Sequence, residues 1–141
     1  MLDMLPVPVQ TKISKEYKNL SATSQLTAMI SVLVLFRNTC AHNDRLFNYT
    51  VNKGKLPSMR LHKELAIPRF QNGDCKYGIQ DLFALIIALR YLLEERNFPG
   101  FFDSLKTLIY KHPDNPVFPK RELLKSMGFP TNWQDVSILP V

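Results

Sequence analysis

Four residues at the end of an apolar run have side chains that could act together on a phosphodiester. Arg37, Asn38, His42 and Arg45 lie within the stretch LFRNTCAHNDRLFNY. Histidine exchanges protons near neutral pH without a large pKa shift, and a guanidinium binds the non-bridging oxygens at two points. Asn38 could add a hydrogen bond or fix the imidazole tautomer. This chemistry suits cleavage of RNA by the neighbouring 2′-hydroxyl, which needs no metal ion.

The spacing of these residues limits how they can cooperate within one chain. Arg37 and His42 are five residues apart, so on one ideal helix their side chains differ in direction by about 140°. Either the helix ends between them, or each meets groups from elsewhere. Asn38, His42 and Arg45 share a ridge only if the helix continues. The alternative is a structural role, in which Arg37 and His42 interact favourably with the helix dipole and with the carbonyl groups at the end of the helix.

Positive charge is concentrated directly after this stretch. The chain of 141 residues has a formal net charge of +6 and a pI near 9.4, which favours an anionic partner. From Arg37 to Lys76 there are eight Lys or Arg against three acids. We predict an RNA-binding surface in this region, while a solvated basic loop is the alternative. Its predicted contacts are Arg45, Lys53, Lys55, Arg60 and Lys63.

The remaining side chains indicate no cofactor. Cys40 and Cys75 have neither zinc-site nor disulfide spacing, so we expect no metal ion and no other cofactor. Cys40 is expected to be a small packing residue. His62 and His112 lack companions in the sequence and are expected at the surface or at a helix cap.

The apolar segments are too short to cross a bilayer, and the first residues do not resemble a secretory signal. The protein is therefore expected in the cytoplasm, with no membrane partner.

Hydrophobic periodicity predicts an all-α bundle of about five helices that forms one domain, residues 1–141. A short amphipathic helix covers Val9 to Leu20. Ser21 is expected to cap a second helix, ATSQLTAMISVLVLFRNTCAH, which is apolar on nearly every side and so belongs in the centre of the bundle. Residues 43–76 form a long basic loop, in which RLHKELA could make one or two helical turns.

Three further helices follow the loop. One runs from about Ile79 to Arg96, and another covers NFPGFFDSLKTLIYKHP. The last is PKRELLKSMG, with Gly128 as its stop. The fourth helix is expected to face inward through Phe101, Phe102, Leu105, Leu108 and Ile109. The tail is expected to be irregular, with Phe129 and Trp133 packing it against the bundle.

The stretch FRNTCAHNDRLFN resembles the signature of the Abi-like family of bacterial abortive-infection proteins, R-N-x-C-A-H-x-x-R-L-[WF]-N. VQTKISKEYKNLS is similar to the helix that precedes this signature, and SMGFPTNWQDV to the family's closing segment. Phe47 stands where Trp is common, and Asn43 where a second His is frequent. Similar proteins carry an additional region before this segment, so the chain resembles the C-terminal part of a longer architecture.

The resemblance places the chain in the HEPN superfamily of helical ribonucleases, whose active site is an Arg-x4-His motif. It implies a metal-independent endoribonuclease, a phage-defence toxin that leaves a 2′,3′-cyclic phosphate and a 5′-hydroxyl. His42 would then be the general acid or base, Arg37 the transition-state clamp, Asn38 an accessory, and Arg45 a phosphate guide or packing residue. It also implies a homodimer with a composite active site, and leaves open an antitoxin or other regulatory partner.

Two other functions compete with this prediction. The first is a non-catalytic RNA-binding or dimerisation module that retains the motif for structure. The second is a helical DNA-binding regulator, which is weaker because no helix-turn-helix pattern with a clear recognition helix is present.

Overall fold

A computed structural model describes residues 4–17, 20 and 22–141. Within these ranges the regular secondary structure is helical and no β-strand occurs, which confirms the predicted all-α bundle. The helices are α1 (Val7–Glu16), α2 (Thr23–Ala41), α3 (Arg60–Glu64), α4 (Leu82–Leu92), α5 (Phe98–Lys111) and α6 (Lys120–Ser126), followed by a 3₁₀ helix at Trp133–Ser137.

Helices α2 and α4 form the main packing pair of the bundle. The buried residues of α2 recur every three or four positions and so form one stripe: Leu26, Met29, Val32, Phe36 and Thr39. The opposite side of α2 is open, and Val34 is 47% exposed. The predicted central position therefore belongs to α4, six of whose eleven residues are buried. The predicted cap of α2, Ser21, lies outside the described residues.

Helix α4 begins later than its apolar pattern predicts, because a buried carboxylate defines its first turn. Asp81 is the N-cap, and its Oδ1 accepts a hydrogen bond from the Ala84 backbone N–H at 3.1 Å. Its Oδ2 accepts another from the Gly78 N–H at 2.8 Å. Burial raises the pKa of Asp81, while these N–H donors oppose the rise.

Helix α6 ends in a Schellman turn at Gly128, as its sequence predicts. Gly128 has φ +81°, and its N–H donates to Lys125 O while the Phe129 N–H donates to Leu124 O. A side chain at position 128 would also collide with the carboxyl group of Asp81. Close approach of the Asp81 carboxyl group and the left-handed conformation thus both require glycine here.

The C-terminal segment packs on α4 and α5 through aromatic rings. The Trp133 ring lies 5.4 Å from Phe129 and 5.5 Å from Phe102, centroid to centroid. Arg90 donates to the carbonyl oxygens of Val136 and Leu139, each at 3.2 Å. Packing of the tail is confirmed, although part of it is 3₁₀ helix rather than irregular. The prediction that Leu108 faces inward is wrong, because Leu108 is 69% exposed.

Residues 43–76 follow α2 as a packed segment with its own buried residues. These are Val51, Leu56, Met59, Leu61, His62, Leu65, Ile67 and Cys75. The backbone N–H groups of Val51 and Leu56 donate to Gln80 O and Ile79 O at 2.7 and 2.8 Å. The segment is thus attached to the start of α4, and RLHKELA contributes the single short helix α3.

Candidate functional site

Helix α2 ends immediately before His42, because Asn43 adopts a left-handed conformation. Asn43 has φ +55°, its N–H donates to Cys40 O at 3.2 Å, and the Asp44 N–H donates to Thr39 O at 3.1 Å. This is the same Schellman pattern as at Gly128, with asparagine, the other residue that tolerates positive φ. The helix therefore ends between Arg37 and His42, as one of the two sequence alternatives requires.

Because the helix ends here, Arg45 does not extend the ridge of Asn38 and His42, which the sequence predicted only for a continuing helix. The His42 N–H still donates to Asn38 O at 3.1 Å, so these two residues remain one helical turn apart. Arg45 lies beyond the left-handed Asn43, in a segment that is no longer helical. It is exposed near the motif, but not on the same ridge.

The side chains of the motif point to solvent on a helix whose other side is buried. Arg37, Asn38 and His42 are all exposed. The adjacent residues Phe36 and Thr39 are buried. Arg37 Nη1 donates to Asn38 Oδ1 at 3.2 Å. Among the described residues, no acid forms a salt bridge with Arg37. The guanidinium is therefore accessible to an anion.

The exposed side of α2 forms a continuous stripe of four residues. Val34, Arg37, Asn38 and Ala41 are spaced at i, i+3, i+4 and i+7 and are all exposed. Cys40 on the same turn is also exposed, so the expectation that it is a small packing residue is wrong. Two small or apolar residues thus flank an arginine and an amide on one open helix face.

Lys53 and Lys55 are brought alongside α2 by a tight turn at Gly54. Gly54 has φ +75°, and a Cβ at this position would lie 3.2 Å from the Cβ of Ser31. Ser31 precedes Asn38 by seven residues, which is nearly two turns on the same face and about 10 Å along the axis. Both lysines are exposed. The turn therefore places two cations beside the face of α2 that carries Asn38.

Arg60 and Lys63 lie on α3, where a buried histidine fixes the helix. Both cations are exposed, and Arg60 Nε lies 3.5 Å from Glu64 Oε1. His62 Nδ1 accepts the Met59 backbone N–H at 2.9 Å, so its Nε2 carries the proton and donates to Gly78 O at 2.7 Å. His62 thus joins α3 to the chain that leads into α4.

The environment of His62 favours the neutral imidazole. Burial lowers its pKa, and the charge of Arg69 acts in the same direction, whereas the two backbone hydrogen bonds oppose the change. A second proton would have to be added at Nδ1, which already faces the Met59 N–H. Of the two expectations for His62, the surface position is wrong, whereas the helix cap is confirmed, because its Nδ1 accepts the N–H of Met59, the N-cap of α3. The sequence indicates the burial of His62 only through its position between Leu61 and Leu65, both of which are buried.

The described part of the chain contains no cluster of three or more His, Cys, Asp or Glu side chains that could hold a metal ion. No helix in that part is long and apolar enough to cross a membrane.

Comparison with known proteins assigns the motif region to a family. Residues 1–48 match the model of the Abi-like protein family, and this match ends at Asn48, the last residue of the signature that begins at Arg37. The first third of the chain, called the Abi-like segment below, is thus similar to this family. No curated protein and no solved structure matches the chain significantly.

The Abi-like segment therefore includes α1, α2 and the turn that follows, and with them Arg37, Asn38, His42 and Arg45. The segment 43–76 is inside the match only up to Asn48. Lys53, Lys55, Arg60 and Lys63 lie beyond it, as does SMGFPTNWQDV, so the resemblance of that closing stretch stays a prediction.

Proposed function

We propose that the chain is a metal-independent RNA endonuclease of the abortive-infection type, of the HEPN superfamily. The observation that carries this proposal is the exposure of Arg37, Asn38 and His42 at the end of α2, within the Abi-like segment. Neighbouring Phe36 and Thr39 already provide the packing of this turn. The three motif side chains are thus available for a ligand.

His42 would exchange the proton of the 2′-hydroxyl or of the leaving 5′-oxygen. Arg37 would bind the non-bridging oxygens as negative charge accumulates on them. Asn38 Oδ1 accepts a hydrogen bond from Arg37 and so orients the guanidinium. The amide nitrogen of Asn38 remains available to donate to phosphate. None of these steps calls on a metal ion or another cofactor.

A second copy of the chain would supply the other half of the site. The Val34, Arg37, Asn38 and Ala41 stripe is open in one chain, and its apolar and small residues permit close helix approach. In such a homodimer the Arg37 of one protomer would meet the His42 of its partner. The opposing directions of the two side chains then become compatible with one phosphodiester.

The cations beyond the motif would hold the RNA strand. Lys53 and Lys55 flank the face of α2 that bears Asn38, and Arg60 and Lys63 follow on α3. Together with Arg45 they form the RNA-binding surface of this proposal. RNA cleavage during phage infection would make the protein a toxin, whose control requires a regulatory partner or antitoxin.

Cleavage in the presence of EDTA tests the enzymatic proposal. Purified protein is incubated with mixed RNAs, and the wild type is compared with His42→Ala, Arg37→Ala and the control Cys40→Ser, which changes an exposed residue of the same turn. We expect His42→Ala to lower the rate by about 10²–10⁴-fold, and Cys40→Ser to leave it unchanged. Cleavage that survives both motif substitutions, or that requires added metal, contradicts the proposal.

The second candidate is a non-catalytic RNA-binding or dimerisation module of the same family. The observation that favours it is the long packed segment 43–76, whose exposed cations would bind RNA without any catalytic group. It predicts RNA binding without cleavage, and dimers that persist in both motif variants.

A further inference from the structure

A concave surface lies between α6 and the C-terminal segment. It is formed by residues outside the Abi-like match. It is a groove of about 650 Å³, within the range of sites that bind small organic molecules. Its apolar lining comprises Tyr77, Leu124, Phe129, Pro130 and Trp133. Phe129 and Trp133 pack edge to face at 5.4 Å and form the buried base of the groove, while the half-buried Tyr77 and Leu124 supply its more accessible apolar surface.

The rim of the groove is cationic. Lys120, Arg121 and Lys125 line it, against a single acid, Glu122. The side chain of Arg121 is 86% exposed, and its Nη2 lies 3.6 Å from Glu122 Oε1, a loose contact that an anion can displace. Lys120 Nζ is 3.4 Å from Tyr110 O and stands over the Tyr110 ring. Arg121 and Lys125 thus make the rim positive, while the ammonium of Lys120 is held at Tyr110 beside it.

This combination fits a ligand with a planar apolar part and a negatively charged part. A nucleotide has both, since its base can pack on the apolar floor while its phosphate meets the lysines and the arginine. An acidic peptide matches the charge but leaves the floor uncovered, and a fatty acid leaves most of the rim cations without a partner. Complementarity of charge and shape therefore favours a nucleotide.

The groove and the motif are connected through the start of α4. Gly128 of the groove packs against Asp81, the N-cap of α4. Gln80, the residue before it, accepts the Val51 N–H from the segment that follows the motif. Tyr49 in that segment packs edge to face on Phe36 of α2, with ring centroids 5.2 Å apart. The adjacent residues Gln80 and Asp81, directly before the first turn of α4, thus contact the segments that carry the two surfaces.

We propose that this groove binds one unpaired nucleotide of an RNA strand, separately from the Arg37 and His42 motif. The inference rests on the proposed function for the choice of RNA as ligand, but it requires no cleavage. The role of the groove would be to select or retain RNA by holding a base that is flipped out of the strand.

The single tryptophan of the chain, Trp133, lies in the groove and reports on its occupancy. A short oligouridylate is titrated into the full chain carrying His42→Ala, so that the RNA stays intact, while tryptophan fluorescence and the anisotropy of labelled RNA are followed. We expect a saturable change in Trp133 fluorescence. The double substitution Arg121→Glu with Lys125→Glu should weaken the binding seen by Trp133 about tenfold at low salt.

The matched control is Lys12→Glu with Lys15→Glu on α1, which makes the same change in net charge and should leave the Trp133 response in place. RNA binding seen by anisotropy without any Trp133 response overturns the inference. So does an equal response to an acidic peptide, or an affinity for free uridine monophosphate equal to that for the oligonucleotide. A Trp133 response from a wild type that cleaves no RNA would support the groove and contradict only the nuclease proposal.

Discussion

The guanidinium of Arg37 lies 3.2 Å from Asn38 Oδ1 on the last turn of α2, and both side chains are exposed. This pairing of adjacent residues holds the arginine on the open face of the helix. His42 follows as the C-cap, where the chain leaves the helix. The proposed catalytic groups thus lie on both sides of a helix end, and in the proposed function the geometry of that end would determine how they meet RNA.

A mixing experiment tests the composite site of the proposed dimer. Arg37→Ala and His42→Ala are each expected to be inactive alone, but a mixed dimer would retain one intact pair, with Arg37 from one protomer and His42 from its partner. Activity should therefore reappear when the two variants are mixed and allowed to exchange subunits. The measurement is the RNA cleavage rate against the mixing ratio. A mixture as inactive as its components contradicts a site shared between protomers.

Asn43 is predicted to control the helix end through its positive φ. Replacement by valine should destabilise the fold by about 1–2 kcal/mol, because a β-branched residue resists the left-handed conformation. Glycine at this position should preserve stability, since it adopts the same φ without strain. Urea unfolding of both variants measures the difference. Equal midpoints for Asn43→Val and Asn43→Gly would show that the turn does not depend on this conformation.

Three glycines separate the cost of backbone conformation from the cost of a steric clash. Gly100→Ala, in α5 with no atom within 4 Å of the added Cβ, should be neutral or stabilising. Gly73→Ala meets open space but has φ +89°, so it should cost about 1 kcal/mol. Gly128→Ala combines positive φ with collision against Asp81 and should cost several times more, about 3 kcal/mol or above. Thermal unfolding that gives Gly128→Ala and Gly73→Ala the same loss argues against close packing at Asp81.

His62 should make the protein less stable in mild acid. Its pKa is lowered on folding, so the folded state resists a proton that the unfolded chain accepts. The free energy of unfolding should consequently decline as pH falls below about 6.5, the ordinary histidine pKa. Asp81 has a raised pKa and so contributes a slope of the opposite sign at lower pH.

The contribution of His62 is isolated by comparing the wild type with His62→Gln, using exposed His112→Gln as the control. The free energy of unfolding of the His62→Gln variant should be about 1–3 kcal/mol lower at neutral pH, because a buried hydrogen-bond partner is removed. This variant should also lack the decline in the free energy of unfolding between neutral pH and mild acid. The same pH slope in wild type and His62→Gln would rule out this account of His62.

The basic surface beside the motif should set the salt dependence of RNA binding. Lys53→Glu combined with Lys55→Glu is expected to weaken binding and to reduce the slope of log affinity against log salt by about 1.4, or 0.7 for each lost contact to a single strand. The measurement is fluorescence anisotropy of labelled RNA in the His42→Ala background at several salt concentrations. An unchanged slope would place the RNA elsewhere on the chain.

Local patterns in the sequence predict most of the helices and several of their ends. Gly128 is recognisable as a stop, and α5 follows from its periodicity, because helix formation depends on neighbours within a few residues. Helix α2 is apolar on nearly every side and follows instead from about twenty residues without Gly or Pro. The end of α2 is also predicted to within one residue, because the apolar pattern stops at His42 and the loop is expected from residue 43. The positive φ of Asn43, which fixes this end, is a backbone property that the pattern does not show. The start of α4 is set by Asp81 and by the long-range contact with Gly128, which no local pattern shows.

The candidate site also has features that local sequence predicts and features that depend on distant segments of the chain. Arg37, Asn38 and His42 are predicted from residue type and spacing alone. The structure places all three at the surface, and their role stays a prediction. The burial of His62 and the groove at Trp133 depend on segments far apart in the chain: α3 meets Gly78, and α6 meets the C-terminal segment. Leu108 shows the limit of periodicity, because an apolar residue in a helical pattern is exposed when no other element covers that side of α5.

The chemical nature of the RNA ends produced by the protein tests the central claim most directly. Wild-type protein and the His42→Ala variant are incubated with one defined single-stranded RNA in EDTA, and the new termini are identified by mass spectrometry. The account predicts 2′,3′-cyclic phosphate and 5′-hydroxyl ends from the wild type and none from His42→Ala. Ends with a 3′-hydroxyl and a 5′-phosphate, or the same cyclic-phosphate products from His42→Ala, would contradict it.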